Sequence, residues 1–81
     1  MLERIIESYP DETFLKADGF DSAIIGYDSE TYRLIYSISR CMKILMDRDN
    51  MDYLTAIEYF EFNVQGAYVG EKTPIWCDDT I

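Results

Sequence analysis

Histidine is absent from this chain of 81 residues. That removes the commonest general base and the commonest metal ligand. A Ser-His-Asp or Cys-His triad cannot be assembled from one such chain. Only two cysteines occur, Cys41 and Cys77, far apart in sequence. They cannot supply the paired Cys and His of a structural zinc site, and they are too few for the disulfide framework of a small secreted domain. They read as two reduced thiols in a cytosolic protein. Cys41 falls on an apolar stripe, where a thiol is expected to be buried and inert. The four glycines, Gly19, Gly26, Gly66 and Gly70, are scattered and start no phosphate-binding pattern, which speaks against a nucleotide-using enzyme. No stretch approaches the roughly 20 apolar residues that span a bilayer. No apolar run follows the opening Met1-Leu2-Glu3-Arg4, so no signal peptide is expected. The expectation is a cytoplasmic, non-enzymatic protein without a cofactor or metal.

Positive charge is also scarce. Seven Lys and Arg stand against sixteen Asp and Glu, for a net charge of -9. Proteins that bind nucleic acid directly neutralise phosphates with clustered bases, and an anionic membrane surface asks for the same. Neither partner is expected. The balance suits a basic protein partner, and charge of this size also keeps a small domain soluble. The length fits a single domain over residues 1–81. Stability at this size is marginal, so a homodimer stays in view. The apolar content of 48% and aromatic content of 15% suffice for a folded core, and aromatics are also favoured at interfaces.

Leu2, Ile5, Ile6 and Tyr9 recur at helical spacing, and Pro10 ends that helix. From Asp11 to Asp21 the chain is polar and mixed, with Phe14, Leu15 and Phe20 as core plugs. Ala23–Tyr27 and Tyr32–Tyr36 are β-rich, and Asp28–Thr31 joins them as a four-residue hairpin loop. Tyr32, Leu34 and Tyr36 would share one strand face. Ser37 or Ser39 is positioned to cap a second helix with the stripe Ile38, Cys41, Met42, Leu45 and Met46. Asp47–Asn50 breaks it. Asp52 is the expected N-cap of the longest helix, roughly Tyr53 to Tyr68, with Tyr53, Ala56, Ile57, Phe60, Val64 and Ala67 inward and Gly70 as its stop. Thr73–Cys77 reads as a third strand, lying at an edge or starting at Pro74. These elements imply an α+β fold: a small antiparallel sheet, hairpin plus C-terminal strand, packed against two or three helices.

The stretch Asp47 to Glu58 has the length of a calcium loop, with Asp47, Asp49 and Glu58 at its first, third and twelfth positions. Met51 occupies the fifth ligand position and Asp52 the place of the turn glycine, so a polar turn and helix cap is the better reading. Glu58 and Glu61 share a helix face away from the inner stripe. Tyr59 and Phe62 also point off that stripe, toward a covering layer, a second copy or a partner. With the loop acids Asp28 and Glu30, they form the candidate partner-binding set: Asp28, Glu30, Glu58, Glu61, Phe62 and Tyr59. Acidic side chains would steer a basic partner and aromatics would anchor it; rows of carboxylates could also imitate a nucleic acid in a basic groove. A second reading is a small-molecule or nucleotide-signal sequestering protein, with a pocket at a dimer interface lined by Arg33, Arg40, Tyr32 and Tyr36. A third is a small structural or assembly protein.

The run Glu58-Tyr59-Phe60-Glu61-Phe62-Asn63-Val64-Gln65-Gly66-Ala67-Tyr68-Val69-Gly70-Glu71-Lys72-Thr73-Pro74-Ile75 resembles a C-terminal signature of small uncharacterised bacteriophage and prophage proteins. Asp18–Gly26 and Arg33–Ser37 resemble their N-terminal half. The resemblance implies a phage-encoded accessory protein acting in the host cytoplasm, of a kind that binds and modulates host machinery. Within the signature, Asn63 is expected to bond the backbone of the adjoining loop, and Gly66 to let a strand or turn approach the helix closely.

Overall fold

A computed structural model describes residues 1–67 and 69–81. The first apolar spacing forms α1 (Leu2–Ser8), which buries Ile5. Tyr9 leaves the helical region at φ -135° and ψ 67°, as a residue before proline must. In the polar stretch that follows, Phe20 is buried, while Phe14 and Leu15 are half-buried. Gly19 takes φ +89°, and the Arg48 guanidinium donates to its carbonyl at 2.8 Å.

The hairpin consists of β1 (Ile24–Tyr27) and β2 (Leu34–Ser37), antiparallel, with Ile24 opposite Tyr36 and Tyr27 opposite Leu34. A bulge at Ile25 interrupts the register between Ile24 and Gly26, locally bending the strand. The connection is longer than expected and covers residues 28–33. Asp28 Oδ1 accepts from the Glu30 and Thr31 N–H groups at 2.8 and 3.3 Å, and Tyr32 N–H donates to the Asp28 carbonyl. Tyr32 then reverses the chain at φ 56°. Tyr32 and Arg33 therefore belong to the loop, and only Leu34 and Tyr36 of the expected trio share the inner strand face, both fully buried.

Strand β2 runs without a linker into α2 (Ile38–Arg48). Ser37 is both the last strand residue and the cap, its hydroxyl accepting from Arg40 N–H. Cys41, Met42 and Leu45 are buried along the expected stripe, while Met46 at its end is exposed. Asn50 turns the chain at φ 57°, and Asp52 caps α3 (Tyr53–Phe60) through Thr55 N–H. After Phe60 the helix widens into a π turn over Glu61–Gln65. There the Gly66 N–H reaches back five residues to the Glu61 carbonyl at 3.0 Å. A Cβ on Gly66 would stand 2.8 Å from that oxygen. The close approach that Gly66 permits is thus to its own helix, not to a strand. Likewise the Asn63 amide donates to the Tyr59 carbonyl one turn back, at 3.1 Å, rather than to the adjoining loop; widening the turn displaces backbone donors, and this side chain supplies one. The helix stops at Gln65, short of the expected end at Tyr68, which itself lies outside the described residues, and Tyr53 and Ala67 of the expected inner stripe are exposed. Gly70 sits in the next turn, beyond the helix.

The last strand, β3 (Ile75–Cys77), starts directly after Pro74 and lies at an edge in the order β1-β2-β3. It pairs in parallel with β2, Ile35 opposite Ile75 and Ser37 opposite Cys77. The sheet is therefore mixed rather than antiparallel. The reason is the crossover: two helices between β2 and β3 carry the chain back to the starting end of β2 before it re-enters the sheet. Ile24, Leu34, Tyr36, Leu45 and Phe60 are the large side chains sealed at the centre. Each contributes about 1.5–3 kcal/mol over its exposed state. Trp76 packs across Tyr36 and edge-on to Phe60, with centroids 5.0 and 5.2 Å apart. The architecture is α+β.

Candidate functional site

The cap at Asp52 fixes which side of α3 faces the core. With Thr55 N–H held by Asp52 Oδ1 at 2.8 Å, Ala56 and Phe60 turn inward and are buried. Leu54, Glu58 and Phe62 then follow one another at four-residue spacing on the outer side, with Tyr59 and Glu61 beside them. Leu54 is 72% exposed and Phe62 84%. Two large apolar side chains this open on one side of α3 and the turn after it form an exposed apolar patch beside carboxylates. Four members of the sequence-derived binding set, Glu58, Tyr59, Glu61 and Phe62, lie together here. Leu54 was missed, although its offset from the inward stripe could have revealed it.

The other two members lie elsewhere, in the hairpin loop. Glu30 is exposed. Asp28 organises the loop, and the Glu30 N–H, followed by the Thr31 donors, holds its carboxyl below the ordinary aspartate range. No hydrogen bond or ion pair between described residues joins this loop to α3.

The alternative ligand set is not gathered into one place within the chain. Tyr36 is fully buried, and its hydroxyl accepts from Ala17 N–H at 2.7 Å. Tyr32 stands edge-on to Tyr9 and Phe14, with the Lys72 ammonium 5.2 Å over its ring. Arg33 Nε donates to the Thr73 carbonyl at 2.6 Å. Arg40 is exposed on α2.

Many acids serve the fold. Lys16–Asp21, Lys43–Asp47, Arg48–Asp49 and Lys72–Glu12 form ion pairs at 2.9–3.6 Å. Asp79 folds back on the first turn of α2, accepting from the Ser37 hydroxyl at 2.5 Å and the Ser39 N–H at 2.8 Å. Those donors, Ser37 first, lower its pKa to about 2. Asp78 accepts from the Thr80 hydroxyl and N–H, the hydroxyl contributing most to its lowered pKa. Glu58 and Glu61 are in no ion pair among the described residues.

Between α2, α3 and the segment after β3 lies a cavity of about 370 Å³, walled by Tyr53, Phe60 and Trp76 and rimmed by Glu61 and Asp78. The Trp76 indole Nε1 is buried and has no hydrogen-bond partner among the described residues. Cys41 is fully buried, and burial pushes its thiol up to about 12. No cluster of three metal-ligating side chains forms among the described residues, and none of their helices is long and apolar enough to cross a membrane.

Compared with protein-family models, with curated proteins and with solved structures, the chain matches none.

Proposed function

We propose that this chain is a non-enzymatic binding protein that engages a basic protein through the outer face of α3. One observation carries the reading: Leu54 and Phe62 stand open to solvent on the same side of a helix as Glu58 and Glu61. The apolar pair provides area to desolvate, and the carboxylates select a positively charged partner and speed its approach. The net charge of -9 extends that attraction beyond the contact patch. A nucleic-acid mimic is the weaker form of the proposal, because it needs a row of free carboxylates, whereas Asp28, Asp47, Asp49, Asp52 and Asp79 are engaged in caps, turns and ion pairs. The resemblance to phage and prophage proteins extends the proposal to a phage-encoded modulator whose partner is a host protein in the cytoplasm.

The test is a pull-down from bacterial lysate with the unaltered chain and with a Leu54→Ala/Phe62→Ala variant, at low salt and at about 0.5 M salt. At the higher ionic strength the Debye length falls to about 4 Å, so charge-steered complexes weaken. A basic protein captured at low salt, reduced at high salt and lost with the variant supports the proposal. Capture indifferent to both changes refutes it. Concentration-dependent dimerisation abolished by the same variant would instead assign this face to a second copy of the chain.

A further inference from the structure

The groove beside α3 has a composition that the outer face lacks. Its lining joins two aromatic side chains, Tyr53 at the start of α3 and Trp76 on the edge strand, to aliphatic Ile38, Met42 and Ile57, with buried Phe60 as its floor. Its rim carries Glu61 and Asp78, and no Lys or Arg lines it. A second cavity of about 310 Å³, which shares Met42, Tyr53 and Thr80 with it, extends the lining to Asp79. The single base lining that extension, Lys43, is paired with Asp47 at 2.9 Å. Aromatic faces attract a cation through their quadrupole, tryptophan most strongly. Carboxylates at the mouth add direct attraction and hydrogen-bond acceptors. An uncharged apolar occupant would leave both acids facing an apolar surface; an anion would meet them head-on.

We propose that this groove is a receptor pocket for a lysine or arginine side chain presented by the partner protein. The aliphatic stem lies against Met42 and Ile57, while the charged head sits between the Tyr53 and Trp76 rings and the Glu61 and Asp78 carboxylates. A volume of about 370 Å³ admits one such long side chain. Glu61 closes one side of this pocket and belongs to the outer face of α3 as well, so the pocket adjoins the apolar surface offered to the same partner. This inference rests on the reading that the partner is basic, but it concerns residues that the outer-face test leaves intact.

Trp76 is the single tryptophan of the chain, and its emission reports on the pocket directly. The test titrates the protein with capped ten-residue peptides of alternating Lys-Ser, Arg-Ser and Glu-Ser, and with spermidine. A saturable change in Trp76 emission with the Lys-Ser or Arg-Ser peptide, and none with Glu-Ser, is expected. Glu61→Gln and Asp78→Asn should each weaken it about threefold, the scale of one exposed ion pair. Leu54→Ala/Phe62→Ala should leave it unchanged. A retained response in that variant, alongside pull-down capture indifferent to the same variant and to salt, would sink the outer-face reading and keep the pocket. No saturable change with either basic peptide, or affinities indifferent to Glu61 and Asp78, overturns the pocket alone. Spermidine binding as tightly as the peptides would give the groove to a free polyamine and overturn the assignment to a protein side chain. Circular dichroism of each variant, unchanged from the parent, ties a lost response to the pocket rather than to unfolding.

Discussion

Asp79 and Ser37 are joined side chain to side chain by a 2.5 Å hydrogen bond. The same carboxylate takes the Ser39 N–H at 2.8 Å. An acid from the C-terminal segment thereby completes the cap of α2, a helix whose own first turn contains no acid. A carboxylate at a helix N-terminus satisfies orphan donors and complements the helix dipole. The folded state lowers the Asp79 pKa from 3.8 to about 2, so its stabilisation is complete above pH 3.8 and is lost as pH falls through 2. Asp79→Asn should melt at lower temperature than the parent at pH 7, with the gap closing between pH 4 and pH 2. Melting curves across that range measure it. A gap independent of pH would show that the carboxylate charge is not what acts.

Tyr36→Phe keeps the ring but removes the acceptor of the Ala17 N–H. A partly buried donor left without a partner costs about 1–3 kcal/mol. Urea unfolding should show a lower midpoint with an unchanged slope. Burial raises the Tyr36 pKa, so difference absorbance in alkali should show this phenol ionising after an ordinary exposed tyrosine.

Phe60 and Phe62 are two residues apart and face opposite environments, 2% and 84% exposed. Phe60→Ala should cost about 3–5 kcal/mol through lost burial and an unfilled cavity. Phe62→Ala should stay within about 0.5 kcal/mol of the parent, as surface changes usually do. Equilibrium denaturation of both variants decides it, and equal losses would contradict the inward and outward assignment of α3.

Of the two free thiols, Cys41 is sealed and pushed up to about 12 by burial first, then by Asp79. The thiolate is the reactive form. In a Cys77→Ser background, a thiol reagent at pH 8 should leave the native protein unlabelled and react only as denaturant unfolds it. Rapid labelling under native conditions would mean that α2 opens locally from the core.

The sequence could be read wherever a signal is local. The Ser37/Ser39 pair and Asp52 announced their helices, because a cap needs only a short polar side chain a few residues before an apolar stripe. Pro74 marked an edge strand for an equally local reason. Tyr32 misled, because the Asp28 turn and a positive φ at a tyrosine run against its β preference. The π turn at Glu61–Gln65 left no signature, since its residues continue a helical pattern. The direction of β3 depends on where the two preceding helices return the chain, which no short window records. The groove was hidden for a similar reason: Tyr53, Phe60 and Trp76 are neighbours only after folding, whereas Glu58, Tyr59, Glu61 and Phe62 share a face by spacing alone.

The parallel pairing of β2 with β3 also sets an order of events. The hairpin and α2 assemble from residues close in sequence, but Ile35 meets Ile75 only after the whole two-helix crossover has been laid down. Closing so long a loop costs more entropy than closing the hairpin, and distant pairings slow folding. The third strand should therefore dock last, on a scaffold already formed by β1, β2 and α2. Trp76 and Asp79 arrive on that scaffold together with β3, so the groove and the cap of α2 would be completed in a single late step.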